Sequence, residues 1–299
     1  MRRNKLGIAF GGGSGRGTAH LGIIKCLEEE GIHPDIITGT SIGALLGSLY
    51  AYGISFDQIA AAARDILGTD EFKNLGFEFF ADHKKEQHIK RFNSYIKERL
   101  IYAKMVITPY ITERETLRKV IEKIIPDVNI EDLPISFATV TLDLISGKDV
   151  FISKGPLIEA VVKAISIAGI FPAWEIDGKI LVDGGPTSNV PVEAAYSLGA
   201  DKVIGVNLSN KLSRDFELKS AISTNFRVDE IAKFRLNKSQ AEKADVLIKP
   251  NMESIHWADF SKIDYGIKEG YRAAKEHIKE IRELVRPSLP LRIKRLFSK

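Results

Sequence analysis

One cysteine in 299 residues, Cys26, rules out an internal disulfide, and this suits a reducing compartment such as the cytoplasm. Cys26 lies beside Leu27 in a helical run and reads as a small buried hydrophobe. Long hydrophobic runs are missing too. No stretch approaches 18 uninterrupted apolar residues, so no transmembrane helix is expected. The first residues carry two arginines and a lysine but no apolar core or cleavage site, so no signal peptide is expected either. The 6 histidines do not gather with Cys or Asp at ligand spacing, and no metal or other cofactor is expected. A net charge of +4 permits attraction to anionic surfaces but does not indicate nucleic acid as a partner. Repeats, low-complexity tracts and long linkers are absent. What remains, 44% apolar and 27% charged, is the composition of an ordinary globular chain. With no clean boundary in it, the chain is read as a single domain over residues 1–285 with a basic tail at 286–299.

The patterning alternates strands with helices. Leu6 to Phe10 reads as a buried strand, Thr18 to Glu30 as a helix stopped by Gly31, Asp35 to Thr40 as a second strand and Ile42 to Tyr52 as a second helix. Helices are expected at 56–67, 89–103, 112–125, 156–168 and 192–198. Strands are expected at 179–182, 202–208 and 246–248. A hairpin is expected around Ser146-Gly147-Lys148 and a closing helix over 261–285. Alternation of this kind argues for an α/β fold with a mainly parallel sheet covered on both faces.

Three motifs stand at apparent strand ends. Gly39-Thr40-Ser41-Ile42-Gly43 has the layout of a nucleophile elbow, a strand-to-helix turn that pushes a serine hydroxyl into the open. Side chains at Gly39 and Gly43 would collide in so tight a turn. The helix that follows aims its N-terminal amides at Ser41. A bland reading, a glycine-flanked loop with an N-capping serine, stays open at this point. Gly11-Gly12-Gly13-Ser14-Gly15-Arg16-Gly17 offers backbone amides to an anion. It fits no register of G-x-G-x-x-G and lacks Gly-Lys-Ser/Thr, which speaks against a dinucleotide or P-loop site. An oxyanion hole needs the same amides. Asp183-Gly184-Gly185 could supply a general base, or only an Asp-Gly turn that caps local backbone.

Taken in order, these stretches resemble the patatin-like phospholipase family. The likeness runs through Gly11 to Gly22, Gly39 to Ala44, Ser166 to Ala173, and Asp183-Gly184-Gly185 to Asn189-Val190-Pro191. It covers about residues 5–210. The resemblance implies a three-layer α/β/α fold, lipid acyl hydrolase activity, and a Ser–Asp dyad without a catalytic histidine. Ser41 matches the family nucleophile and Asp183 its base. Gly12, Gly13, Ser14, Gly15, Arg16 and Gly17 match the oxyanion loop, with the Ile42 amide as a further candidate donor. The loop is one residue longer than the commoner Gly-Gly-Gly-x-Arg-Gly form, which leaves open the amide that would face the oxyanion.

His256 follows Asp183, so Ser41, Asp183 and His256 also reproduce the order of an α/β-hydrolase triad. His20, near the glycine loop, reads as a packing or bracing residue. A different class, a ligand-binding or regulatory protein with its hydroxyl unused, is opposed by the intact serine, aspartate and glycine loop. A lipid acyl-ester substrate implies access to an interface. Phe77, Phe79 and Phe80 precede a basic segment, and residues 77–104 place apolar and basic side chains on opposite helix faces. That pattern suits either an anionic membrane surface or packing on the core. Residues 286–299 carry five basic and no acidic side chains, as a peripheral anchor or a disordered tail would.

Overall fold

The computed structural model describes residues 3–77, 107–209, 211–212, 216 and 220–285. The expected helix at 89–103, nearly all of the 77–104 segment and the 286–299 tail lie outside the described residues. Strands β1 (Leu6–Phe10), β2 (Ile36–Gly39), β3 (Ser136–Asp143), β4 (Asp149–Ile152), β5 (Trp174–Ile176), β6 (Lys179–Asp183), β7 (Lys202–Val206) and β8 (Val246–Ile248) form one sheet, ordered β5-β6-β3-β2-β1-β7-β8, with β4 also on β3. The run β3-β2-β1-β7-β8 is parallel, while β4, β5 and β6 pair antiparallel. Helices cover both faces, giving the expected α/β sandwich with a mostly parallel centre.

Alternation along the strands divides the core. Ile8 and Phe10 of β1 join the large cluster under α1 (Thr18–Glu29), α2 (Ile42–Ala51) and α3 (Phe56–Leu67), while Ala9 joins a smaller cluster on the opposite face. The large layer continues through the one-turn α4 (Asp70–Lys73), α5 (Arg114–Glu122) and α6 (Leu157–Ile165). The smaller layer holds α7 (Val192–Ser197) and the last residue of α8 (Ala221–Ala241). Two helices close the chain on the large side, α9 (Ile263–Glu276) and α10 (Ile278–Leu284). Helix α9 lies so close to α1 that a Cβ at Gly270 would stand 1.9 Å from the Ala19 carbonyl oxygen. This contact fixes the helix that begins at the glycine loop.

Two readings of the sequence need correcting. The closing helix over 261–285 is two helices, parted at His277. Helix α8, 21 residues long, has no counterpart in the expected elements. Only Ala241 in it is buried, so it shows none of the apolar periodicity from which a helix is read. Among the described residues, no helix is long and apolar enough to cross a membrane.

Candidate active site

Strand register builds the site. Phe10 pairs with Gly39, so the loops leaving β1 and β2 emerge side by side at one sheet edge. Gly39 in turn pairs with Thr139. Strand β3 runs on past that point, and β6 pairs with the overhang in the reverse direction, Asp183 opposite Thr141. Ser41 stands two residues past Gly39, and Asp183 faces the residue two past Thr139. The two side chains therefore meet although 142 positions separate them.

The elbow is strained and crowded. Ser41 has φ 55° and ψ −126°, a conformation an L-residue adopts at a cost on the order of 1–3 kcal/mol. A Cβ at Gly43 would stand 2.2 Å from the Phe10 carbonyl oxygen, and one at Gly39 would stand 2.4 Å from the carbonyl oxygen of Gly43. Both positions therefore require glycine. The Ser41 carbonyl accepts the amides of Ala44 and Leu45, so α2 begins directly at the serine.

Ser41 is 7% and Asp183 5% exposed. The Ser41 hydroxyl faces the Asp183 carboxyl, and the Gly185 amide donates to its Oδ1 at 2.7 Å. Burial pushes the carboxyl up to about 6, and these two neighbours pull against that rise. The Asp-Gly capping turn and the serine contact are thus both present.

In the glycine loop several amides are already engaged. Those of Gly11, Gly12, Gly15 and Arg16 donate to the carbonyls of Val206, Asn189, Trp257 and Gly13. The Arg16 guanidinium, partly buried, donates through Nε to the Ile255 carbonyl at 3.0 Å. A Cβ at Gly17 would strike the Ile42 side chain, which holds loop and elbow together. His20 braces the loop from below. Its Nε2 lies 2.7 Å from the Gly11 carbonyl oxygen, and its ring packs edge-on to Phe10. A carbonyl only accepts, so Nε2 carries the proton, and Nδ1 is left buried without a partner.

Burial lowers His20 to about 4 from the ordinary 6.5. The unfolded chain therefore binds a proton that the fold refuses, and stability present above pH 6.5 is lost as pH falls toward 4. Comparing wild type with His20→Gln removes every other titration from the difference. The unfolding free energy of wild type minus variant should fall by about 3 kcal/mol between pH 7 and pH 4. Urea titrations at the two pH values measure it, and a difference that does not move with pH would show that His20 is not held neutral.

His256 lies in the segment that packs on this loop, its Nδ1 accepting the Ala258 amide at 3.3 Å. The groups that set the Asp183 carboxyl are Ser41 and Gly185. Three residues singled out by no function in the sequence hold the 184–191 turn. Thr38 and Thr40 donate to the Pro191 and Ser188 carbonyls, and Asn237 donates to the Gly185 carbonyl.

A channel opens from the serine. About 900 Å³ of space, counting its mouth, lies between α1, α2, α3 and α5, and Ser14, Thr18 and Ser41 are the polar residues in an otherwise apolar lining. Leu46, Leu49, Ala63, Phe72 and Leu117 represent the rest. Of the helices at 56–67 and 89–125 expected to set such a pocket's shape, α3 and α5 line it, and residues 89–106 lie outside the described residues.

Comparison with known proteins agrees with this frame. Residues 8–196 match the family described as patatin-like phospholipase. A Caenorhabditis elegans protein named as patatin-like phospholipase domain-containing is 29% identical over 94% of this chain, which covers 26% of that protein. The neuropathy target esterase sws of Drosophila melanogaster is 29% identical over 71% of the chain and 13% of its own length. An uncharacterised NTE family protein of Mycobacterium bovis is 30% identical over 69% of the chain and 49% of its own length. The chain thus spans half or less of these curated relatives. Among solved structures, VipD from Legionella pneumophila superposes with a TM-score of 0.51 at 14% identity, over 94% of this chain and 67% of that one. The match takes in the end of β1, the elbow, the Asp183 turn and the strands between them, and on that match the chain belongs to the patatin-like phospholipase family.

Proposed function

We propose that this chain is a serine acyl hydrolase, with a lipid acyl ester such as phospholipid or lysophospholipid as substrate. One observation carries the reading: a buried Ser–Asp pair whose hydroxyl opens into a channel lined almost entirely by hydrocarbon. An acyl chain laid in the channel brings its ester carbonyl to Ser41. Asp183 takes the hydroxyl proton as Oγ attacks, and a pKa near 6 leaves this base ionised at neutral pH yet basic enough to accept. The negative charge on the tetrahedral oxygen falls to amides at the start of α2 and in the glycine loop. Gly13, Ser14, Gly17 and Ile42 are the candidates, because the Gly12, Gly15 and Arg16 amides are already given to carbonyls. The leaving alcohol takes the proton from Asp183. Water, activated by the same carboxylate, then releases the fatty acid from the acyl-serine.

Residues 1–285 would make one catalytic domain. The basic segments 77–104 and 286–299 are the parts of the sequence suited to an anionic lipid surface, consistent with a cytoplasmic enzyme that visits membranes. A fluorophosphonate probe should label wild type and not Ser41→Ala. His256→Ala should keep its activity; losing it would favour a Ser–Asp–His triad. Channel length is tested separately. Ala63→Phe puts a ring into the lining, so kcat/KM for a decanoyl ester should fall by about tenfold or more relative to a butyryl ester. An unchanged ratio would put the acyl chain elsewhere.

A further inference from the structure

Outside the dyad, Asn237 is a polar side chain on the catalytic edge that bonds the 185–189 turn at both ends. It lies in the last part of α8, the helix that is otherwise almost wholly exposed. Its Nδ2 donates to the Gly185 carbonyl at 3.2 Å, and its Oδ1 accepts the Asn189 amide at 2.9 Å. Each partner leads onward. Gly185 holds the Asp183 carboxyl through its own amide. Asn189 grips the glycine loop twice, its carbonyl accepting the Gly12 amide at 2.9 Å and its Nδ2 donating to the Gly12 carbonyl at 3.4 Å. A Cβ at Gly12 would lie 3.4 Å from the Ser41 Cβ, so this grip ends beside the serine.

We propose that Asn237 is a positioning residue that fixes base and oxyanion loop relative to each other. The inference rests on the Ser41–Asp183 reading. A single planar amide spans the 185–189 turn, donating at one end and accepting at the other. The turn therefore cannot shift the base-holding amide without also shifting the loop beside Ser41. Thr38 and Thr40 secure the later part of the same turn to β2. They keep the fold intact when Asn237 is removed, but they do not reach Gly185.

The test uses the full chain, p-nitrophenyl butyrate and a fluorophosphonate probe. Asn237→Ala should lower kcat by about 10- to 100-fold with KM within about twofold, because misplacing catalytic groups by about 1 Å can cost about 100-fold. It should also raise the lower midpoint of the pH–kcat profile by about half a unit or more, since a drifting Gly185 amide no longer favours the carboxylate. The groups facing that carboxyl are the Ser41 hydroxyl and the Gly185 amide, both uncharged. Asn237→Asp keeps the acceptor and the shape, loses the donor and adds a negative charge, so it should show the same loss of kcat, and its midpoint should rise at least as far as that of Asn237→Ala. Leu236→Ala, on the exposed side of the same helix, should change neither. Wild-type kcat and midpoint in Asn237→Asp would overturn the inference, as would a loss of kcat in Asn237→Ala without a shifted midpoint or an equal loss in Leu236→Ala. A wild-type chain that the probe does not label would sink the dyad itself. A labelled wild type with indifferent Asn237 variants would sink this inference alone.

Discussion

Ser41→Ala should remain folded and lose ester hydrolysis by about 10⁴- to 10⁶-fold, the range seen when a nucleophile is removed from an acyl-transfer site. The size of the effect follows from what is left behind. The channel still binds the acyl chain and the amides still face the carbonyl, but no oxygen remains to form the acyl intermediate. Stability gives a second readout of the same position. The elbow imposes φ 55° on residue 41, and alanine suffers that strain as serine does. Glycine does not, so Ser41→Gly should be as inactive as Ser41→Ala and more stable than it by about 1 kcal/mol. Ester turnover, probe labelling and thermal unfolding of the three proteins check both points. An active Ser41→Ala would dispose of the mechanism, and a Ser41→Gly no more stable than Ser41→Ala would deny the strain.

Asp183→Asn should be almost as inactive, by about 10⁴-fold, since an amide cannot take the hydroxyl proton. Yet it should be more stable than wild type at neutral pH. Burial raises the Asp183 carboxyl from 3.8 to about 6, so between those values the folded chain holds a proton that the unfolded chain has released. The contribution of this group is fully present below pH 3.8 and is lost as pH rises through 6. A shift of that size corresponds to about 3 kcal/mol. The gain of Asp183→Asn over wild type should therefore be near that figure at pH 7.5 and fade toward pH 4. The same titration in wild type should make kcat/KM rise with pH through about 6 and level off above it. Denaturant unfolding across pH measures the first effect and initial rates the second. A stability difference independent of pH would mean the carboxyl is not held protonated by burial. His20 titrates over an overlapping range with the opposite slope, so the wild-type stability curve alone would hide both groups.

The fold gives up stability at both places, in the strained serine and in the dry carboxylate. Each departs from what folding alone would choose, and each meets the other at one cleft. This coincidence, more than any single motif, supports reading the cleft as catalytic.

Much of this was legible without coordinates. Gly39 and Gly43 announced a turn too tight for a Cβ, and the runs at 6–10, 35–40 and 202–208 announced buried strands, because both signals are local and steric. Helix 56–67 was read from the sequence at the bounds it has in the fold. Helix α8 was not, since the narrow strip it turns toward the body includes Ser223, Arg227, Asn237 and Gln240 and so carries no apolar period. Nor could the loop sequence tell which amides are spent, because Val206, Asn189 and Trp257 reach it from distant parts of the chain.

The sequence by itself determined the residue types, their order and the local turns: a serine on an elbow, a glycine loop before it, an aspartate after a strand. Only the tertiary structure decided that the aspartate arrives on an antiparallel strand, paired with the overhang of β3, so that it reaches the serine from the opposite direction. The physical reason is that steric demands act between neighbours in the chain and leave their mark in composition. Strand register is set by the packing of whole faces, and no short stretch of sequence records it.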